Sequence, residues 1–266
     1  MKLIEICNLE SDELKIYKAH REAELLHINE PDPGIFIAES PNVIMRALSA
    51  GYEPVSVLCD RAGLNTDSLR AIEMCKDVPV YSAGKEALAE ITGYNLTRGL
   101  LCAMKRKPPA KADSILSAAK RVAVLEDIVN PTNLGAIFRS AAALNMDAVL
   151  LTKACTDPLY RRAARVSMGT AFQIPWAYID SYDLLKMKGF KTVAMALKPD
   201  SYAIDNPIFK TEERLAVILG SEGPGLKAST IEAADYTVCI PMSHGVDSLN
   251  VAAASAVAFY ELGKRI

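Results

Sequence analysis

The sequence predicts a mixed α/β protein of two domains, the larger built on a parallel sheet. Three observations carry this. Strand-like and helix-like patterns alternate along the chain, the order that βαβ units impose. The stretch "MKRKPPAKADS" from Met104 combines charge, two prolines and small residues, a linker composition that splits the 266 residues. Half of the residues are hydrophobic, so each part can bury a core. The expected boundaries are an N-terminal α/β domain over 1–104, a linker over 105–112 and a C-terminal domain over 113–266.

In the first domain, "DELKIYKAHREAELL" sets Leu14, Tyr17, Arg21 and Leu25 at three- and four-residue steps, predicting one amphipathic helix. "GIFIAES" reads as a strand. "PNVIMRALSAGY" reads as a helix opened by proline and closed at Gly51. "PVSVLCD" and "VPVYS" are strands either side of the helix "SLRAIEMCK". No catalytic cluster stands out in this part.

The second domain is more regular. "RVAVLEDI" is a buried strand, "LGAIFRSAAALN" a helix and "DAVLLT" a strand. A strand near "AFQIPWAYI", the helix "YDLLKMKG" and the strand "KTVAMAL" follow. Then come the strand "RLAVILG", the loop "SEGPGL", the helix "STIEAAD", the strand "YTVCIPM" and the helix "SLNVAAASAVAFYELGK". Parallel sheets of this kind bind ligands beyond the carboxyl ends of their strands.

Composition narrows the functional classes. Apolar runs such as "LAVIL" fall far short of the ~18 residues of a membrane span, and the first residues lack an apolar signal core. A soluble, cytoplasmic protein is expected. Six cysteines without a C-x-x-C pair and three dispersed histidines suggest neither a disulfide framework nor a metal site, so reduced thiols and no metal are expected. Net charge is −2, so any RNA must be held by local patches and shape. "KRKPPAK" and "RRAAR" are candidate patches, and each also suits a solvated linker or helix face.

Three loops leave strand ends with unusual chemistry: "NPTNLG", "GSEGPG" and "IPMSHGVDSLN". A dinucleotide fingerprint needs G-x-G-x-x-G in the first strand-to-helix turn, where this chain has a single glycine. G-K-[ST] is absent, which removes the P-loop. Singly, each loop residue has an ordinary role. Asn133 or Thr132 suits a helix cap, Arg139 a snorkelling side chain, Glu222 a surface carboxylate, and Ser248 and Asn250 caps of the last helix.

Together and in order, the three loops resemble the motifs of the SpoU (TrmH-like) family of the SPOUT superfamily, RNA ribose 2'-O-methyltransferases. "NPTNLGAIFRSA" resembles the first motif through Asn133 and Arg139. "VILGSEGPGL" resembles the second through Gly220 and Glu222. "IPMSHGVDSLNVA" resembles the third through Ile240, Ser248, Leu249 and Asn250. Two departures stand out: the loop before Ser248 is one residue longer than the common form, with His244 in the extra space, and Ala252 replaces a frequent serine.

The resemblance implies a C-terminal deep trefoil knot, S-adenosylmethionine as cofactor, a structured RNA substrate (ribosomal RNA favoured over transfer RNA) and a homodimer. Residues 1–104 are similar to the RNA substrate-binding domain often attached to this family. The resemblance further implies cofactor binding by Gly220, Gly223, Ile240, Met242 and Leu249, the glycines letting backbone approach the cofactor. Catalysis would fall to Arg139, Asn133, Glu222, Ser248 and Asn250. Arg139 would then stand in a core-like helix because it points into the active site. A non-catalytic RNA-binding protein that keeps the fold is the main alternative. A base-methylating relative and a nicotinamide enzyme stand behind it.

Overall fold

The computed structural model describes residues 3–6, 11–18, 22–93 and 99–263. They form two compact units. The first holds β1 (Leu3–Glu5), a 3-10 turn (Asp12–Tyr17), α1 (Glu22–Leu25), β2 (Ile35–Glu39), α2 (Pro41–Ser49), β3 (Pro54–Asp60), α3 (Thr66–Met74), β4 (Val80–Ala83), α4 (Lys85–Thr92) and β5 (Leu100–Lys105). The second holds α5 (Ala112–Ala118), β6 (Arg121–Glu126), α6 (Pro131–Ala143) and β7 (Ala148–Leu151). After the crossover that carries α7 (Arg161–Val166) come β8 (Trp176–Tyr178), α8 (Asp183–Met187), β9 (Lys191–Met195), β10 (Tyr202–Ala203), α9 (Ile208–Thr211), β11 (Leu215–Gly220), α10 (Ala228–Ala233), β12 (Tyr236–Cys239) and α11 (Val251–Leu262).

The first sheet has the order β1-β4-β3-β5-β2, with β5 antiparallel to both its neighbours. Strand β5 is absent from the sequence reading because its end merges into the basic, linker-like "MKRK". Its residues through Met104 are nevertheless buried. The single helix expected from Asp12 is also not formed: the 3-10 turn stops at Lys18, whose backbone is extended (φ −67°, ψ 126°). Leu14, Tyr17 and Leu25 still reach the core, which is what their spacing encoded, while Arg21 lies outside the described residues.

The second unit is a seven-stranded sheet, β10-β12-β9-β11-β6-β7-β8, parallel at every pairing. Apolar side chains of β6, β7 and β11, such as Val124, Leu150 and Ile218, build its core with Leu116 of α5 and Leu185 of α8. Continuous burial of β6 and of most of β11 explains why these strands read as unbroken apolar runs.

Helix α11 follows β12 and returns to pack on α6 and β11. Buried Arg121, at the start of β6, pins its far end. Its Nε donates to the Leu262 carbonyl at 3.1 Å, and its Nη atoms donate to the carbonyls of Glu213 and Glu212, each at 2.8 Å. A cation at a helix C-terminus is favoured by the helix dipole. The return path is compatible with the expected knot.

One boundary differs from expectation. Residues 159–172 lie in the C-terminal part of the sequence but belong to the first unit. There α7 packs on β2, and Arg165 meets the buried Glu39 carboxylate at 2.9 Å, with Arg161 at 3.9 Å. Phe172 joins Phe36 and Tyr52 in a ring cluster at 5.5 and 5.2 Å. Two of the three "RRAAR" arginines are therefore engaged internally. "KRKPPAK" is also partly engaged: Lys105 pairs with Glu53 at 2.8 Å, and Lys107 lies over Tyr52.

Candidate active site

Parallel pairing puts the carboxyl ends of β9, β11 and β12 side by side, and a pocket of about 410 Å³ opens there. Leu219, Val238, Ile240 and Leu249 give it apolar walls, while Glu222, Ser248 and Asn250 give polar groups. That size and mixture suit a small ligand with apolar and polar ends. Eight of the ten predicted site residues line it: Gly220, Glu222, Gly223, Ile240, Met242, Ser248, Leu249 and Asn250.

The path of the second loop itself requires its glycines. A Cβ on Gly220 would lie 2.4 Å from backbone atoms of Gly225 and Leu226, so it would collide with the chain itself. The loop doubles back after Gly220, and Gly225 donates its N–H to the Ser221 carbonyl at 3.2 Å. Gly223 has open space around it but a φ of +91°, which L-residues with a side chain rarely adopt.

The third loop places its polar groups through α11. Asn250 caps that helix, its Oδ1 accepting from the Ala252 N–H at 3.0 Å. The bond uses only backbone of Ala252, so the missing serine does not disturb it. Ser248 precedes the helix and has no capping role. The additional residue of the loop is taken up in a turn closed by Val246 N–H to Ser243 O at 3.2 Å, where His244 and Gly245 have φ of +59° and +71°.

Asn250 also joins the three loops. Its Nδ2 donates to Asn133 Oδ1 at 3.3 Å and to Glu222 Oε1. Asn133 lies just outside the pocket lining, nearly buried on α6. It is not the cap of α6, because the helix starts earlier than its apolar pattern: Asn130 is the cap, accepting from the Thr132 N–H at 2.9 Å, with Pro131 in the first turn.

Arg139 lies apart from this cluster. It is exposed and absent from the pocket lining, so it does not point into this pocket. Asn133 and Arg139 are six residues apart, which turns their side chains about 120° away from each other on a helix of 3.6 residues per turn. With Asn133 facing Asn250, Arg139 is directed elsewhere.

Glu126 and Asp127 were missed because "RVAVLEDI" reads as one buried strand. The strand ends at Glu126, and Asp127 has φ +56°. The Glu126 carboxylate is buried and accepts from the Lys227 N–H (2.8 Å), Thr230 Oγ1 (2.6 Å) and Tyr182 OH (2.6 Å). Burial, together with that carboxylate, pushes the Tyr182 phenol well up. Asp127 pairs with Lys227 Nζ at 2.8 Å, and this bond, with one from Thr152, lowers the Asp127 carboxyl below its usual range. Two adjacent acids at the end of a buried strand were the available signal. Among the described residues, no group of three or more His, Cys, Asp or Glu is placed to hold a metal, and no helix is long and apolar enough to cross a membrane.

Comparison with known proteins decides the family, since the SpoU rRNA Methylase family model matches residues 120–260. The chain belongs to the SpoU family. This SpoU protein is 40% identical, over 85% of its length and 80% of the other's, to an uncharacterised tRNA/rRNA methyltransferase of Mycobacterium bovis. It is 29% identical to the 23S rRNA (guanosine(2553)-2'-O)-methyltransferase RlmP of Bacillus subtilis, over 85% of this chain and 88% of that one. The SPOUT methyltransferase fold is shared with an AdoMet-bound rRNA methyltransferase from Sinorhizobium meliloti, at a TM-score of 0.79, 21% identity and coverage of 98% and 97%. An RNA 2'-O ribose methyltransferase structure matches at a TM-score of 0.76, 23% identity and coverage of 98% of each chain.

Proposed function

We propose that this SpoU protein transfers a methyl group from S-adenosylmethionine to a ribose 2'-hydroxyl of structured RNA, with ribosomal RNA preferred to transfer RNA. The observation that carries the reading is the Asn250 side chain, which gathers Asn133 and Glu222 beside a pocket at the carboxyl ends of three parallel strands. The names of the relatives, RNA methyltransferases throughout, support the substrate class.

The pocket residues fit the cofactor. The apolar walls from Ile240, Met242 and Leu249 would hold its base, and the tight turn at Gly220–Gly223 would border its polar end. When bound, the cofactor supplies an electrophilic methyl group. A ribose hydroxyl is a weak nucleophile at neutral pH and must be positioned and relieved of its proton. Glu222, oriented by Asn250, is the carboxylate at hand and would take that proton through a water. Ser248 and Asn133 would fix the ribose and the Asn250 amide. A guanidinium, with a pKa above ~12, is a reluctant base. Exposed Arg139 would instead hold an RNA phosphate and offset developing charge.

The reading includes a homodimer and a cytoplasmic setting. An exposed apolar stripe on α11, Ala253, Val257 and Tyr260 at helical spacing, supports the first, and a monomer by light scattering would contradict it. Free thiols among the described residues support the second, with Cys75 and Cys102 hydrogen-bonded at 4.0 Å and not joined in a disulfide. The experiment for the activity is methyl transfer from labelled S-adenosylmethionine to unmodified ribosomal and transfer RNA. The proposal predicts label at a ribose that resists alkaline cleavage. Cofactor binding with no label on either RNA would count against it.

A further inference from the structure

We infer that Glu126 is a positioning residue for the 220–226 turn, acting on the cofactor site without lining it. The inference rests on the reading of that pocket as the S-adenosylmethionine site. Glu126 pairs with Gly220 in the sheet, β6 against β11, so its backbone fixes the start of the turn. Its carboxylate reaches the other end, accepting from the Lys227 N–H and the Thr230 hydroxyl where α10 begins. One buried residue thus holds both ends of a turn whose middle carries Glu222 and Gly223.

Asp127 completes the clamp. Successive side chains of a strand point to opposite faces, yet both acids converge on Lys227, Glu126 on its backbone and Asp127 on its ammonium group. The left-handed backbone of Asp127 breaks the alternation that would otherwise part them. Ser221 and Gly225 bridge each other and Asn250 holds Glu222 at the middle of the turn, while its two ends are placed beside the pocket by these anchors.

The third donor separates positioning from mere stability. Tyr182 also donates to Glu126 but belongs to no part of the turn or of α10. Removing its hydroxyl takes away its bond to Glu126 and leaves the Glu126 bonds to Lys227 and Thr230 in place. Removing the Thr230 hydroxyl takes away a comparable bond and loosens the clamp.

The test measures S-adenosylmethionine affinity by calorimetry, with thermal midpoints, for the unaltered chain and for Glu126→Gln, Thr230→Val and Tyr182→Phe. Displacements of about 1 Å can cost on the order of 10² in site function. Glu126→Gln is expected to weaken cofactor binding about tenfold or more and Thr230→Val several-fold, with Tyr182→Phe within about twofold of wild type although its midpoint falls like that of Thr230→Val. If Glu126→Gln does not fold, Thr230→Val against Tyr182→Phe decides the question. Equal affinities in those two variants, with tight binding by the unaltered chain, would overturn the inference alone. No binding by the unaltered chain would overturn the cofactor reading and the inference with it.

Discussion

Asn250 Nδ2 donates to Asn133 Oδ1 at 3.3 Å, joining residues 117 positions apart in sequence. The same nitrogen donates to Glu222, and Oδ1 caps α11, so one side chain ties the start of α11 to α6 and to the turn after β11. Asn250→Asp separates these duties, because Asp caps helices as well as Asn does but has no amide donor. Methyl transfer is expected to fall by about 10² or more. The thermal midpoint should shift by only about 2–4 °C, as calorimetry would show.

Gly220→Ala and Gly223→Ala should differ in kind. The first drives a Cβ to within 2.4 Å of backbone, and the second only asks a side chain to adopt φ +91°. Gly223→Ala should cost about 1–2 kcal/mol, and Gly220→Ala more, with loss of cofactor binding. Urea unfolding and cofactor titration would check the order, and the reverse order would be inconsistent with the observed turn.

Arg139 is outside the pocket lining, so its removal should spare the cofactor. Arg139→Ala is expected to lower methyl transfer by about 10²–10³ with cofactor affinity unchanged. Arg139→Lys should recover little, since Lys lacks the planar fork that grips phosphate. Wild-type turnover in Arg139→Ala would remove this residue from the mechanism.

Asp127 gives a pH dependence with a definite sign. Its folded pKa is depressed, first by the hydrogen bond from Lys227 and then by that from Thr152. The associated stability is present above the unfolded carboxyl value of ~3.9 and is lost as pH falls through the lower folded value. Asp127→Asn should therefore be less stable than wild type at pH 6. The gap should narrow as pH falls below the unfolded carboxyl value, as unfolding measured across acid pH would show.

Arg121→Met would leave the carbonyls of Leu262, Glu212 and Glu213 without their donor. The expected loss is about 1–3 kcal/mol, read from the urea midpoint, and Arg121→Lys should also be unstable because one ammonium cannot reach three carbonyls in a fixed fork.

Much of this fold was legible because burial was written into sequence period. β2, β3, β6 and β11 read as apolar runs, and α2 was marked at both ends by Pro41 and Gly51. Of the site, the pocket residues could be named from the motifs. The bonds among Asn133, Glu222 and Asn250 depend on how α11 returns to α6, which no local pattern records. The fate of "RRAAR" was hidden in the same way, since Glu39 lies more than a hundred residues earlier. Arg139 and Gly220 show the opposite limit. A motif identified both positions, but only the helix phase and the path of the 220–226 turn show where one points and what the other avoids.

The most direct measurement compares the unaltered chain with Asn250→Asp in transferring labelled methyl from S-adenosylmethionine to unmodified ribosomal RNA. The expected result is label in alkali-resistant ribose linkages with the unaltered chain and loss of about 10² or more in rate with the variant. Label at a base rather than a ribose, or equal rates for both proteins, would contradict the account.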